Sequence, residues 1–156
     1  MLRTLIPHHL LIASGGFGAR LSAQAVAGAI ARGVLDAGRP QPDLCPLEPA
    51  PAGSAGRQGD ATGIAEQLDV LDFDARMRAS RAVVVAWKRL EEGTLAGSVP
   101  FEIATRARQG GVPAYAITAH DRLDEFDARI FDLQVVIEAR SAQQLAAAGR
   151  RLAELA

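Results

Sequence analysis

The run Arg81–Trp87, RAVVVAW, has three consecutive valines at its centre and no polar side chain from Ala82 to Ala86. Such a segment favours a strand. With no polar face to turn to water, it must be covered on both sides, which is the situation of a strand inside a parallel sheet. Parallel neighbours cannot be joined by tight hairpins and need crossover segments, usually helices. This one stretch therefore predicts an α/β sheet with helices on both faces.

The rest of the chain fits that frame. His9–Ser14 (HLLIAS) is a short apolar run ending in small residues and Gly15-Gly16, a buried strand with a turn at its carboxyl end. Ser22 precedes AQAVAGAIARGVLDAG, and its hydroxyl can accept from backbone N–H groups two or three residues on. Ala25 or Val26, Ile30 and Val34 recur at helical spacing, and Gly38 with Pro40 ends that helix. Leu44–Leu47 reads as a second strand, completing a β-α-β unit. From Glu48 to Gly63 the chain is Pro, Gly, Ala and Ser without periodicity, a linker or long loop, with order resuming near Asp72 in a short helix at Asp74–Ala79.

Beyond Trp87, Lys88–Ser98 is polar and turn-rich, and Pro100 opens a helix to about Arg108 that Gly110-Gly111 closes. Val112–Ala119 is a fourth strand, with Pro113 at its start where a missing N–H is tolerated. HDRLDEFDAR is a charged turn or short helix, and Phe131–Glu138 a fifth strand. Ser141 caps a last helix whose apolar stripe is Leu145, Ala148 or Gly149, Leu152 and Leu155. The 156 residues thus predict one domain, a three-layer, doubly wound, mostly parallel five-stranded sheet of Rossmann-like or flavodoxin-like type.

Seventeen Lys and Arg balance eighteen Asp and Glu, so no field of one sign steers the chain to a nucleic acid or an anionic membrane. Cys45 is the only cysteine, which rules out an intrachain disulfide and suits a small hydrophobic thiol in a reducing cytoplasm. The apolar runs are too short to span a bilayer, and His8 and His9 interrupt any signal-like stretch at the start. The expectation is a cytoplasmic protein.

Ligands of open α/β sheets collect at the carboxyl ends of the strands. There the loop Ser14–Arg20 (SGGFGAR) joins a strand to a helix N-terminus, where free N–H groups and the helix dipole favour an anion. Gly15, Gly16 and Gly18 would allow close approach and Arg20 would add charge, or else the glycines simply make a tight turn. The spacing matches neither a Walker loop nor the dinucleotide fingerprint. Arg89, Glu91 and Thr94 follow the third strand at the same edge, either gripping a carboxylate or phosphate or pairing among themselves. His120 sits past the fourth strand, an exposed turn residue or a general base. Asp121, Asp124, Glu125 and Asp127 match no metal-loop spacing and read as surface charges.

The segment IASGGFGARLSAQAVAGAIARG resembles the N-terminus of bacterial glycerate kinases, which reads much like IAPDSFKGSLSAxxVAxAIxxG. Cys45-Pro46-Leu47 fits the family's next strand. RAVVVAWKRLEEGTLAGSVPFEIATRARQGGVPAYAIT is similar to the family's C-terminal stretch, VITGEGRLDxQTLxGKxPxGVAxxAxxxGVPVxAxxG. The similarity covers about Leu10–Leu47 and Ala79–Ala156. What lies between those blocks in the family is an inserted second lobe, here replaced by the linker at 48–63, and the resemblance implies that half of an interlobe site is missing. It also carries Ser22 and Ser98 into the ligand-binding set, with Gly15, Gly16, Gly18, Arg20, Arg89, Glu91 and Thr94.

The departures matter as much. The family's Asp-Ser pair is Gly15-Gly16, its following Lys is Gly18, the glutamate of GEGR is Trp87, and later Asp, Gln and Lys positions are Glu91, Gly93 and Ser98. Phosphoryl transfer needs carboxylates for Mg²⁺ and cations for the transferred group. Losing one charge-stabilising group commonly costs on the order of 100- to 1000-fold in rate. The resemblance therefore implies a glycerate-kinase-like domain without independent kinase activity, holding a small organic acid, other anion or nucleotide, or serving as an interaction domain. The alternative is an ATP- and Mg²⁺-dependent D-glycerate kinase completed by a partner subunit or separately encoded lobe. Trp87, where the family has a carboxylate, would plug the old pocket or form a sticky surface that a homo-oligomer would cover.

Overall fold

The computed structural model describes residues 9–47, 61–91 and 98–156. Five strands alternate with six helices in the order β1 (Leu10–Ser14), α1 (Ala23–Asp36), β2 (Asp43–Pro46), α2 (Ala61–Val70), α3 (Phe73–Arg78), β3 (Ala82–Glu91), α4 (Val99–Gly110), β4 (Ala114–Arg122), α5 (Glu125–Phe131), β5 (Leu133–Glu138) and α6 (Ala142–Leu155). The strands lie in the order β2-β1-β3-β4-β5, and every neighbouring pair is parallel. This is the three-layer, doubly wound architecture that RAVVVAW demands, with β3 at its centre.

Alternation along β3 divides the core in two. Ala82, Val84 and Ala86 face a cluster with Leu10 and Ile12 of β1, Val26 and Ile30 of α1, and Leu145 and Leu152 of α6. Val83 and Val85 face the opposite cluster, with Leu11, Cys45, Leu68 of α2, Phe73 and Met77 of α3, and Ile103 of α4. Cys45 is buried there, and burial pushes its thiol above the usual range. On this second face, Arg76 forks onto Asp43 at 2.7 and 2.9 Å, tying α3 to β2. Arg106 of α4 reaches Glu102, Asp69 and Asp74, each at 3.0 Å, so one guanidinium holds α2, α3 and α4 together.

Helix ends follow the sequence. Ser22, Ser98 and Ser141 cap α1, α4 and α6 by accepting from the N–H three residues on. Gly111 closes α4 with φ +71°, the left-handed conformation in which a side chain would be strained.

Four expectations need correction. Order resumes at Ala61, well before Asp72, because Ile64 and Leu68, buried and spaced by four, anchor α2. Residues 48–60, the bulk of the expected linker, lie outside the described residues. β3 and β4 run past Trp87 and Ala119 to Glu91 and Arg122, pairing Arg89 with His120 and Glu91 with Arg122. Ladder bonds are made by backbone, so polar side chains do not end a strand. Phe131 belongs to α5, and Leu155 is half exposed, its place in the stripe taken by Ala153.

α1 and α6 touch through glycines. A Cβ on Gly33 would overlap the Ala146 carbonyl, and one on Gly149 the Ile30 carbonyl, both rigid backbone. Gly28 of the same α1 has nothing within 4 Å of that position. Replacing an unhindered helical glycine by alanine gains roughly 0.5–1 kcal/mol, whereas overpacking costs about 1–3 kcal/mol. Urea unfolding should therefore show Gly28→Ala stabilised, and Gly33→Ala and Gly149→Ala destabilised. If all three stabilise alike, the close helix crossing is wrong.

Candidate functional site

In the order β2-β1-β3, the connections leave β1 and β3 in opposite directions, and ligand crevices open where this happens, at the carboxyl ends of the two strands. That point lies between Ser14-Gly15 and Ala86-Trp87. The Ser14 hydroxyl is wholly buried and donates to the Ala23 carbonyl at 2.7 Å, pinning the start of α1 beneath β1. Gly15 continues the ladder, its N–H donating to the Ala86 carbonyl at 2.9 Å.

The indole of Trp87 fills the point itself. A Cβ on Gly15 would lie 2.6 Å from the ring, so only glycine leaves room for the indole. The half-buried ring packs on the cluster beneath α2, α3 and α4. The ring is thus partly buried against Gly15 and the core.

Beyond it, Phe17 N–H bonds to the Leu21 carbonyl at 2.8 Å and Leu21 N–H to Gly18 at 3.3 Å, closing residues 17–21 into a compact turn. Gly18 stands at φ +110°, and the Lys88 ammonium lies 3.9 Å from where its Cβ would be. Gly16, Gly18 and Arg20 are exposed around this turn. The first-turn N–H of Ala25 is taken by the Ser22 hydroxyl at 3.1 Å, so that side chain serves α1.

The second group of expected residues stands on the β3–β4 extension. Arg89 is bound to Glu91 at 2.9 Å, the local pairing that was one of its two readings. Ser98 caps α4 by accepting from Phe101 N–H at 3.2 Å. Thr94 lies outside the described residues. His120 stands opposite Arg89 across the ladder. Its imidazole is held below the ordinary range, first by partial desolvation and then by Arg140, Arg89, Arg122 and Lys88.

The structure thus makes two neighbouring sets, Gly16, Gly18, Arg20 and Lys88 at the end of β1, and Arg89, His120, Arg122 and Arg140 at the ends of β3–β5. Lys88, Arg122 and Arg140 were not among the expected site residues. Lys88 was readable as a lone lysine just past the central strand. Arg122 was readable as a neighbour of His120 two residues on, whereas Arg140 was not, since only the pairing of β4 with β5 brings it near. Thr118 was also missed: wholly buried, it donates to the Lys88 carbonyl at 3.0 Å and so fastens the extension.

Mg²⁺ asks for several hard oxygen ligands. At the switch point the described side chains offer an indole and cations, and the nearby Glu91 is already bound to Arg89. Among the described residues no three His, Cys, Asp or Glu side chains converge. This donor set does not fit the metal that kinase chemistry would need. Nor is any helix of the described residues long and apolar enough to cross a membrane.

No protein-family model and no curated protein matches the chain. Among solved structures it is similar to an oxidoreductase from Corynebacterium diphtheriae, with a TM-score of 0.52 and 13% identity over 96% of both chains. It is also similar to a protein provisionally named glycerate kinase 2 from Salmonella typhimurium LT2, with a TM-score of 0.47 and 18% identity, over 94% of this chain and 48% of that one. At such identities the first likeness extends to the fold, a three-layer Rossmann-like sheet, and no further.

Proposed function

We propose that this chain is a glycerate-kinase-like domain that holds a small anion at the carboxyl edge of its sheet and carries out no kinase turnover alone. The observation that carries this reading is the indole of Trp87 over Gly15, where the kinase motif has a carboxylate. An aromatic ring there can neither ligate a cation nor accept a proton, and it fills space that a substrate would enter. The ring packs on apolar residues, while the neighbouring turn carries cations, Lys88 beside Gly18 and the exposed Arg20, next to the start of α1 with its favourable dipole. Such an edge suits a phosphate or carboxylate.

Thermal melting tests the binding half. A ligand at ten times its Kd stabilises the folded state by about 1.4 kcal/mol, which for a chain of this size raises Tm by roughly 3–6 °C. Inorganic phosphate or ATP at millimolar concentration should produce such a rise, and Lys88→Ala with Arg20→Ala should abolish it. The same preparation, given ATP, Mg²⁺ and D-glycerate, should form no phosphoglycerate. Turnover by the lone chain, or no rise with any anion, would overturn the reading.

The plug has its own test, because Trp87 is the only tryptophan and its fluorescence reports on that position alone. Gly15→Ala should displace the ring, shift its emission to the red and cost about 1–3 kcal/mol through overpacking. Unchanged emission and stability would mean that the indole does not lie over Gly15.

A further inference from the structure

The carboxyl ends of β3, β4 and β5 gather more positive charge than the near-neutral chain would suggest. Strand pairing sets Arg89 opposite His120 and Glu91 opposite Arg122 on neighbouring strands, which lie about 4.8 Å apart in a sheet. Arg140, just beyond β5, is anchored at the same end by its Nε, which donates to the Ala119 carbonyl at 2.9 Å. Lys88 stands on the opposite face of β3, toward Gly18.

Among the described residues, three carboxylates face this group. Glu91 binds Arg89 at 2.9 Å, Glu138 lies 3.9 Å from Arg140 and accepts the Asp121 N–H at 3.3 Å, and Asp121 accepts from Leu123 N–H at 3.2 Å. Among the described residues, Lys88, Arg122 and His120 make no ion pair. Despite the carboxylates, His120 is disfavoured as a cation, first by desolvation and then by Arg140, Arg89, Arg122 and Lys88.

We infer that Arg89, His120, Arg122 and Arg140 form one recognition face for a phosphate-like dianion, and that His120 takes up a proton when the dianion binds. The inference rests on the reading of the carboxyl edge as an anion site, and adds the ligand's charge and its coupling to pH. Cations from three adjacent chain segments suit a polyvalent anion, because a lone carboxylate would leave most of their charge uncompensated. Guanidinium groups match tetrahedral oxyanions with paired donors. An anion among them reverses the field at His120, and an opposite charge within about 4–6 Å stabilises the protonated imidazole. The sign follows from linkage: the bound state holds the extra proton, so affinity rises as pH falls through the bound-state pKa. It levels off below the free-state value.

The probe is sulfate, whose charge is constant between pH 5 and 8, used with the whole chain at fixed ionic strength. The His120 ring resonance is followed by NMR, assigned through its loss in His120→Gln. Saturating sulfate should raise the His120 pKa by about one pH unit or more. Calorimetry should then show the Kd tightening about fivefold between pH 8 and pH 5.5, approaching tenfold only at lower pH. In the free protein, Arg140→Ala and Arg122→Ala should each raise the His120 pKa, and in His120→Gln the pH dependence of sulfate affinity should vanish. Acetate, a planar monoanion, should move His120 little. Sulfate that binds without moving His120 would overturn this inference and leave the anion site standing. No sulfate binding at either pH would also overturn this inference, the anion site falling with it only if phosphate, ATP and acetate also fail to raise Tm, and an equal response to acetate would overturn the dianion assignment.

Discussion

Everything in this fold is arranged around a strand that has no polar side to show. From Ala82 to Ala86, β3 is buried on both faces, so a helical layer must lie above it and another below. That in turn requires parallel neighbours and helical crossovers. With β1 on one side and β4 on the other, the chain reverses its winding direction next to β3. The strand that forces the fold therefore also ends at the point where such folds bind ligands. Core and site are consequences of one segment.

At that end β3 carries an uncharged ring, Trp87, over Gly15. A carboxylate at the tip of a central strand is costly to keep unless a cation partners it. An indole needs only a surface to cover, and Gly15 provides it by having no side chain. The ring makes the tip part of the hydrophobic core. Trp87 and Gly15 are then a single structural unit, and the glycine in the first motif is intelligible only through the tryptophan in the second.

How much of this was legible depended on whether the signal was local. Serine caps at Ser22, Ser98 and Ser141, the stop at Gly111 and the apolar core of β3 are each written in a few adjacent residues, and the chain follows them. α2 was hidden because its two anchors, Ile64 and Leu68, follow a stretch of low complexity that masks a short helical period. The extension of β3 and β4 was hidden because Lys88, Arg89 and Arg122 look like loop residues, while the bonds that hold them in strands belong to the backbone. The site was legible to the same degree. The glycine turn and Arg89 could be placed at the carboxyl edge from order alone, yet that Gly15 spends its N–H on Ala86 depends on the pairing of distant segments. So does the approach of Arg89 and Arg140 to His120.

The positive edge raises a question of stability as well as of binding. In a doubly wound sheet, each helix that follows a strand points its N-terminus, the positive end of its dipole, to the carboxyl edge. A site with carboxylates and a metal balances that field internally. Here the tip carries an uncharged ring, so cations placed nearby add to the dipoles instead of opposing carboxylates. Glu91 and Glu138 offset part of this through Arg89 and Arg140. His120 is itself disfavoured as a cation, first by desolvation and then by Arg140, Arg89, Arg122 and Lys88. Under the proposed coupling, the proton that His120 withholds in the free protein is the one that a bound anion would restore. A lysine at that position would hold its charge throughout and burden the free protein. A glutamine could never add charge to the complex. Histidine alone among the common side chains matches its charge to the occupancy of its surroundings near neutral pH.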